Sequence, residues 1–218
     1  MPTVKHAVIA AAGIGRRIGK GMPKCLIEVN GRPIIEYQLS ILSDIPEIRM
    51  VVGFEDERVI RSVINFRRDV IFVRNVNYQS TTTLQSYAMG CKGINDKVLL
   101  LDGDMIISND SMKRILQNDS EEEFICVATD ISVDPVYAKV EDGQVLGFGY
   151  DTITSFEWAN MTYIESAKIE YRETHLFPQL EKYLPKKALL IDRLEVDTIE
   201  DLEHANTFIQ SNPDFCRI

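Results

Sequence analysis

The chain has 218 residues, of which 45% are hydrophobic and 26% are charged, and its formal net charge at pH 7 is −9. This composition excludes disorder, and the length predicts a single domain over residues 1–218 with a full hydrophobic core. The negative charge argues against a nucleic-acid surface, which needs a basic face, and no run approaches the ~18 apolar residues of a membrane span.

The four cysteines are scattered and lack the spacing of metal ligands; they are Cys25, Cys91, Cys126 and Cys216. No N-terminal signal pattern precedes the first predicted strand. We therefore expect a reducing, cytoplasmic compartment.

The first predicted element is an apolar strand over residues 7–11, whose lack of alternation is typical of a parallel strand covered on both faces. The loop after it carries four cations: Arg16, Arg17, Lys20 and Lys24. It also contains glycines that can adopt positive φ and turn backbone N–H groups toward an anion: Gly13, Gly15, Gly19 and Gly21. Because arginine and lysine add charge-assisted hydrogen bonds, the loop predicts a phosphate-binding site.

A dinucleotide-binding fingerprint is the alternative interpretation of these glycines. It requires a helix directly after the turn and an acidic residue about 20 residues further on. Gly19, Gly21 and Pro23 interrupt any such helix, and the first helical pattern begins at Ile34. An NAD(P)-dependent oxidoreductase is therefore disfavoured.

Strand and helix patterns alternate through the middle of the chain. Strands are predicted at 50–54, 70–73 and 98–101, and helices from Asp56 and over 84–89. This succession predicts an α/β fold with a doubly wound, mostly parallel sheet. Ligands of such sheets bind at the carboxyl ends of the strands.

Asp102-Gly103-Asp104 follows the most apolar of these strands at its carboxyl end. A carboxylate there can bind Mg²⁺, which commonly uses one or two protein carboxylates plus substrate phosphates. Turn hydrogen bonds are the alternative role for both aspartates. The position at the end of a buried strand of a phosphate-binding sheet favours a metal site.

The second half of the chain predicts a small antiparallel α+β elaboration. It contains a hairpin over 137–149, whose Asp142-Gly143 pair is typical of a two-residue turn, and a strand over 188–191. A final amphipathic helix presents Ile199, Leu202, Ala205 and Ile209. Asp197 or Thr198 is its expected N-cap, with Asp201 in a loose capping box.

The motifs Ala11-Ala12-Gly13-x-Gly15-x-Arg17-Ile18-Gly19, Pro23-Lys24-x-Leu26 and Gly31-Arg32-Pro33-Ile34-Ile35 stand together near the N-terminus. They resemble the signature of the GT-A-like nucleotidyltransferases, which act on sugar-1-phosphates, phosphocholine, inositol phosphate and methylerythritol phosphate. The resemblance is nearest to the small cytidylyltransferases. It implies a Rossmann-like, GT-A-type fold with a nucleotide-binding core over 1–130, an acceptor-binding elaboration over 131–195 and a closing helix over 196–218.

The resemblance also implies roles for particular residues. Arg17 and Lys24 would be the catalytic cations, and Asp104 and Asp197 would hold Mg²⁺. The residues implied in nucleotide binding are Ala11, Ala12, Gly13, Gly15, Thr82, Ser86 and Asp102. Thr82 and Ser86 belong to a hydroxyl-rich stretch that otherwise reads as a helix cap.

The predicted acceptor-binding part departs from the pattern of the sugar-phosphate transferases. Sugar-phosphate transferases usually carry Glu-Lys-Pro after such a hairpin, and here that position reads Gly149-Tyr150-Asp151. Trp158, with Tyr150, Tyr163 and Glu157 near it in sequence, offers a cation–π site for a quaternary ammonium group, and aromatic core packing is the alternative.

The implied function is an Mg²⁺-dependent nucleotidyltransferase that joins a nucleoside triphosphate, with CTP favoured, to a small phosphorylated or phosphonylated acceptor. The alternatives are a sugar-1-phosphate nucleotidyltransferase using UTP, dTTP or GTP, a molybdopterin nucleotidyltransferase, and a non-catalytic nucleotide-binding regulator. The expected partners are these small molecules, with a homodimer as the one protein assembly considered and with nucleic acid and membrane excluded.

Overall fold

The computed structural model describes residues 4–18, 21–118, 122–151 and 153–217, so Gly19 and Lys20 of the opening loop lie outside the described residues. The strands are β1 (His6–Ala11), β2 (Glu28–Val29), β3 (Arg32–Pro33), β4 (Glu47–Val52), β5 (Val70–Arg74), β6 (Lys97–Asp102), β7 (Met105–Ile107), β8 (Phe124–Ala128), β9 (Tyr137–Glu141), β10 (Gln144–Gly149), β11 (Glu157–Glu165), β12 (Lys186–Leu190) and β13 (Arg193–Glu195). The helices are α1 (Ile34–Ile41), α2 (Asp56–Phe66), α3 (Thr83–Cys91), α4 (Asn109–Gln117), α5 (Phe177–Leu180) and α6 (Ile199–Ser211).

One nine-stranded sheet organises the fold, in the order β5-β4-β1-β6-β11-β8-β12-β10-β9. The first four strands are parallel, and β11 then lies antiparallel between β6 and β8. The predicted α/β fold is confirmed. The antiparallel strands of the second half extend this same sheet, because β11 pairs with β6 from Met161↔Leu101 to Glu165↔Lys97.

Both faces of the sheet are covered by helices, which explains why its central strands lack alternation. Ala7 and Ile9 of β1 pack on the face covered by α1 and α2, while Val8 packs on the opposite face against Leu84 and Tyr87 of α3. A strand buried on both sides needs apolar residues at every position. A third cluster joins α6 to β2 and β13 at the carboxyl edge of the sheet.

Two local predictions are confirmed with their expected geometry. The β9–β10 hairpin turns at Asp142 and Gly143, whose φ angles of 48° and 73° are the two positive values that a type I′ turn requires. Thr198 is the N-cap of α6, and its hydroxyl and the Asp201 carboxylate satisfy each other's backbone N–H groups in a capping box.

Two other predictions were wrong in detail. The strand predicted over 50–54 ends at Val52, because the chain turns at Phe54 and Glu55, where Glu55 adopts a φ of 46°. Ile199, predicted on the apolar face of α6, is 51% exposed because it begins the helix beyond the edge of the core.

The cysteines are all buried and unpaired. Burial raises the pKa of Cys25 to about 12, so this thiol is a packing residue although it is next to Lys24. No described helix has both the length and the apolar character that a bilayer crossing demands.

Candidate active site

The loop after β1 brings Lys24 to the carboxyl edge of the sheet. Gly15 adopts φ 65°, and an added Cβ would lie 2.9 Å from the Cγ of Lys24. A glycine is needed here because it supplies the left-handed conformation and leaves room for the lysine side chain. Lys24 itself begins a short 3-10 turn, Lys24–Leu26, that follows Pro23.

Four of the predicted site residues meet at this edge although they are far apart in sequence. The Lys24 ammonium donates to Asp104 Oδ2 at 2.8 Å and also to Asp197 Oδ1. The Arg17 guanidinium reaches Asp197 Oδ2 at 2.7 Å and Asp134 Oδ2 at 2.9 Å. The basic loop thus contacts both carboxylates that the sequence proposes as metal ligands.

A third carboxylate, Glu195, completes this group. Asp104, Glu195 and Asp197 each offer an oxygen that lies within 4.8 Å of the other two. Strand β13 places Glu195 there by pairing with β7, opposite Met105. Asp104 Oδ1 is buried and has no hydrogen-bond partner among the described residues.

Sequence reasoning missed Glu195, although the strand pattern contained the signal. Val196 is fully buried in the cluster under α6, so its two neighbours in sequence turn to the other side, toward the cleft. Because Thr198 caps α6, the Asp197 side chain is available to the cations and carboxylates of the cleft. Burial, followed by the neighbouring charges of Asp104 and Glu157, raises the pKa of Glu195.

Asp102 is held in place by two helices, α3 through Tyr87 and α1 through Gln38. The Tyr87 hydroxyl donates to Asp102 Oδ1 at 2.5 Å, and the Gln38 side-chain amide donates to the Asp102 backbone carbonyl at 2.6 Å. Burial, together with the nearby charge of Asp104, raises the pKa of Asp102 to about 8. Asp102 thus packs under the turn while Asp104 reaches the cations.

A cleft beside these carboxylates contains the residues predicted to bind nucleotide, except Gly15, which does not line it. It is lined by Ala11, Ala12, Gly13, Thr82, Ser86, Asp102, Asp104 and Lys24. The Thr82 hydroxyl donates to the Thr174 carbonyl at 2.8 Å, and Thr82 with Gln85 forms a capping box for α3. Ser86 accepts a hydrogen bond from the Asn75 amide at 3.1 Å. Both hydroxyls therefore have structural partners at the cleft wall.

The aromatic residues predicted on the acceptor side are not brought together. Trp158 is 8% exposed, borders a second cleft that also contains Arg17 and the three carboxylates, and donates to Thr162 Oγ1 at 3.2 Å. Tyr163 stacks on Phe124 in the core of the opposite sheet face. Tyr150 is 53% exposed, packs on Phe177, and borders neither cleft. The four-residue cation–π cage is not assembled.

The sequence matches a known protein family over most of its length. Residues 7–167 match the family model of the MobA-like NTP transferase domain. The chain belongs to this family. The family resemblance expected from the opening motifs is therefore confirmed, and the match covers β1 through β11 but ends before β13.

Curated relatives of this NTP transferase chain are similar over part of their length. The bifunctional protein GlmU of Nitrosomonas europaea is 28% identical over 136 residues, which are 61% of this chain and 30% of the relative. The CMP-5′-(3-aminopropyl)phosphonate synthase of Streptomyces rubellomurinus is 30% identical over 118 residues, 50% of this chain and 19% of the relative. The chain spans about a third or less of the length of the curated relatives it matches.

Solved structures share the fold across nearly the whole chain. The inositol-1-phosphate CTP transferase of T. maritima has a TM-score of 0.79 at 15% identity, covering 96% of this chain and 98% of that one. The CTP:phosphocholine cytidylyltransferase LicC of Streptococcus pneumoniae has a TM-score of 0.78 at 17% identity, covering 94% and 100%. At these identities the likeness shows the fold alone, which is the GT-A-type architecture expected from the sequence.

Proposed function

We propose that this chain is a nucleotidyltransferase that joins a nucleoside triphosphate, with CTP favoured, to a small phosphorylated or phosphonylated acceptor. The observation that carries the proposal is the meeting of Lys24 and Arg17 with Asp104, Glu195 and Asp197 beside the glycine-rich loop. Cations bind phosphates, and a carboxylate cluster binds the metal ion that accompanies a nucleoside triphosphate.

The donor set at this edge fits Mg²⁺. Three carboxylates supply only oxygen ligands, which Mg²⁺ prefers, and the buried Asp104 Oδ1 lacks a partner among the described residues. Asp104, Glu195 and Asp197 would hold the ion. When bound, Mg²⁺ supplies charge neutralisation and orientation for the phosphate oxygens of the nucleotide.

The chain's own cations would carry the rest of the catalysis. An oxygen of the acceptor phosphate forms a bond to the α-phosphorus, the bond from that phosphorus to the bridging oxygen breaks, and pyrophosphate leaves with the electron pair. The attacking oxygen is already anionic, so no general base is needed, and positioning with charge neutralisation suffices. We assign the leaving pyrophosphoryl group to Arg17, and the α-phosphate and incoming phosphate to Lys24.

The two clefts suggest which parts of the chain bind the nucleotide and which bind the acceptor. We assign residues 1–130 to nucleotide binding, with Thr82 and Ser86 at the base and ribose and with Asp102 orienting the turn. We assign 131–195 to the acceptor, with Trp158 as part of its wall, and 196–218 to closing the site through α6. The exposed Tyr150 is the weaker acceptor candidate, because it borders neither cleft.

Several names among the relatives favour CTP. Both solved structures described above are named as using CTP, and the Streptomyces relative is named for a CMP-linked aminoalkylphosphonate. A sugar-phosphate acceptor is the second candidate, because another chain of similar fold, from Bacillus anthracis, is named a putative glucose-1-phosphate thymidylyltransferase. Against it, Gly149-Tyr150-Asp151 stands where sugar-phosphate transferases usually carry Glu-Lys-Pro.

A pyrophosphate-release screen tests the proposal. The purified chain is incubated with Mg²⁺ and each of CTP, UTP, GTP, ATP and dTTP, crossed with phosphocholine, 2-aminoethylphosphonate, inositol phosphate, methylerythritol phosphate and several sugar-1-phosphates. We expect release that requires both CTP and one acceptor. Release with UTP and a sugar-1-phosphate would favour the second candidate, and binding of CTP without any release would favour a nucleotide-binding regulator.

A further inference from the structure

A buried arginine connects the acceptor side of the cleft to the carboxylate cluster. The Arg193 side chain is 4% exposed, and its guanidinium pairs with Glu157, whose side chain is 1% exposed. The same guanidinium reaches Glu195 Oε2 at 3.1 Å. One arginine thus bridges a carboxylate on β11 and a carboxylate of the cluster on β13.

Stability alone is a poor reason for this arrangement. Removing a charged pair from water costs several kcal/mol per ion, and packed hydrophobic residues often serve a core equally well. Arg193 Nε also remains buried without a partner among the described residues, which adds to the cost. The arrangement is better explained by what it does for Glu195.

The second oxygen of Glu157 extends the connection to a loop. Glu157 Oε2 accepts from the backbone N–H and from the hydroxyl of Ser132, both at 2.9 Å. Ser132 lies between β8 and β9, in the segment that borders the second cleft with Val133 and Asp134. Glu157 therefore holds Arg193 with one oxygen and the acceptor-side loop with the other.

We propose that Arg193 is a positioning residue that, held by Glu157, fixes the orientation of Glu195 for cation binding and ties that orientation to the 131–136 loop. This inference rests on the cation site of the proposed function. The planar guanidinium can hold two carboxylates in fixed directions at once, whereas a lysine ammonium acts as a compact point charge. The hydrogen bond that Asn160 donates to Glu195, at 3.4 Å, is long and orients Glu195 weakly.

Charge and position make opposite predictions for Arg193. A guanidinium next to a cation site repels the cation, so loss of its charge alone would strengthen cation binding. Loss of an outer partner that orients a ligand typically weakens metal binding about 10–100-fold. Variants that hold the charge constant therefore isolate the positioning role.

The test measures Mn²⁺ binding to the whole chain by electron paramagnetic resonance, without nucleotide or acceptor. Arg193→Lys retains the charge but loses the two-carboxylate bridge, and the double variant Glu157→Gln/Arg193→Gln leaves the net charge unchanged. We expect both to bind Mn²⁺ about tenfold or more weakly, with circular dichroism like that of the unsubstituted chain. Ser132→Ala, which removes only the loop hydroxyl, should change Mn²⁺ affinity less than about twofold and raise KM for the acceptor.

The outcomes separate the two levels of inference. If the unsubstituted chain binds no Mn²⁺, the cation site of the proposed function is wrong. If it binds Mn²⁺ and Arg193→Lys binds it equally well, Arg193 does not position Glu195. If Arg193→Lys does not fold, the charge-neutral double variant decides in the same way, and equal or tighter Mn²⁺ binding by it overturns the inference.

Discussion

Two ionic clusters lie at opposite edges of the same sheet and are balanced differently. At the amino edge of β8 and β12, the Glu123 carboxylate pairs at 2.7 Å with both Lys168 and Lys186. At the carboxyl edge of β6, four carboxylates, the three of the cluster and Asp102, lie with three cations: Lys24, Arg17 and Arg193. The first cluster has a surplus of cations, and the second has a surplus of carboxylates.

The pKa shifts follow this difference. Burial by itself would raise the pKa of Glu123, but hydrogen bonds from the Glu165 backbone and from the two lysines lower it. At the other edge, burial and neighbouring carboxylates raise the pKa of Asp102 to about 8 and also raise that of Glu195. The cluster at the amino edge is satisfied by the fold, whereas the cluster at the carboxyl edge suits an added cation.

The largest expected effect on activity comes from removing the Lys24 ammonium from the carboxyl edge. Lys24→Ala should lower kcat/KM for nucleotidyl transfer about 10²–10³-fold, because a preorganised charge on the reacting phosphates is lost. Its circular dichroism should stay unchanged, since the side chain is 20% exposed and packs at the cleft surface. Steady-state pyrophosphate release measures the effect.

Lys5→Ala is the matched control for this change. Lys5 is likewise a paired lysine, with Asp96 at 3.0 Å, but it precedes β1 at the amino edge. Its removal should leave turnover unchanged. Full activity in Lys24→Ala would contradict the assigned role, and so would an equal loss in both variants.

Neutralising one carboxylate at the carboxyl edge should affect activity and stability in opposite directions. Glu195→Gln should lower kcat/KM about tenfold or more, because one oxygen ligand of the cation is weakened. In metal-free buffer its melting temperature should rise by about 2–4 °C, since ~1 kcal/mol of repulsion and burial cost is relieved in a domain of this size. A lower melting temperature in the absence of metal would show that Glu195 is satisfied by Arg193, and the contrast between the edges would fail.

Local sequence patterns predicted most of the elements but not how the sheet is assembled. The apolar run at 7–11 and the Asp142-Gly143 turn have short-range signals, and both predictions hold. Nothing local in β11 indicates that it pairs with β6, because strand pairing depends on long-range contacts. This pairing brings Glu157 close to β13, so the connection through Arg193 could not be foreseen.

In the candidate site, too, local motifs predicted some residues and not others. Lys24, Asp104 and Asp197 were named from motifs, and the structure brings them together, although their roles stay predictions. Glu195 belongs to no motif, and the helix-cap pattern directly after it obscures the alternation around the buried Val196. Proximity in sequence groups Tyr150 with Trp158, but Tyr150 follows the end of β10 and packs on Phe177 outside both clefts.

The smallest expected effect on turnover comes from the amino-edge cluster around Glu123. Glu123→Gln should lower the free energy of unfolding at pH 7 by about 1–2 kcal/mol, because two charge-assisted hydrogen bonds are weakened and two ammonium groups lose their counter-ion. Turnover should stay unchanged, since Glu123 lies at the edge opposite the cleft. Urea unfolding measures the first effect and pyrophosphate release the second.

The pH dependence of the stability loss in Glu123→Gln gives a sharper test of the contrast between the two edges. Because the folded pKa of Glu123 lies below its unfolded value, its stabilisation is complete above an unfolded pKa of about 4.3 and is lost as pH falls through the folded pKa. The stability gap between the unsubstituted chain and Glu123→Gln should therefore close in acid. Glu122→Gln is the matched control, because Glu122 pairs with Lys187 at 2.9 Å but is 52% exposed, and it should cost less than about 0.5 kcal/mol at any pH. A gap that persists in acid would mean that Glu123 stabilises the fold by packing and not by its charge, and the two edges would then not differ in the way described.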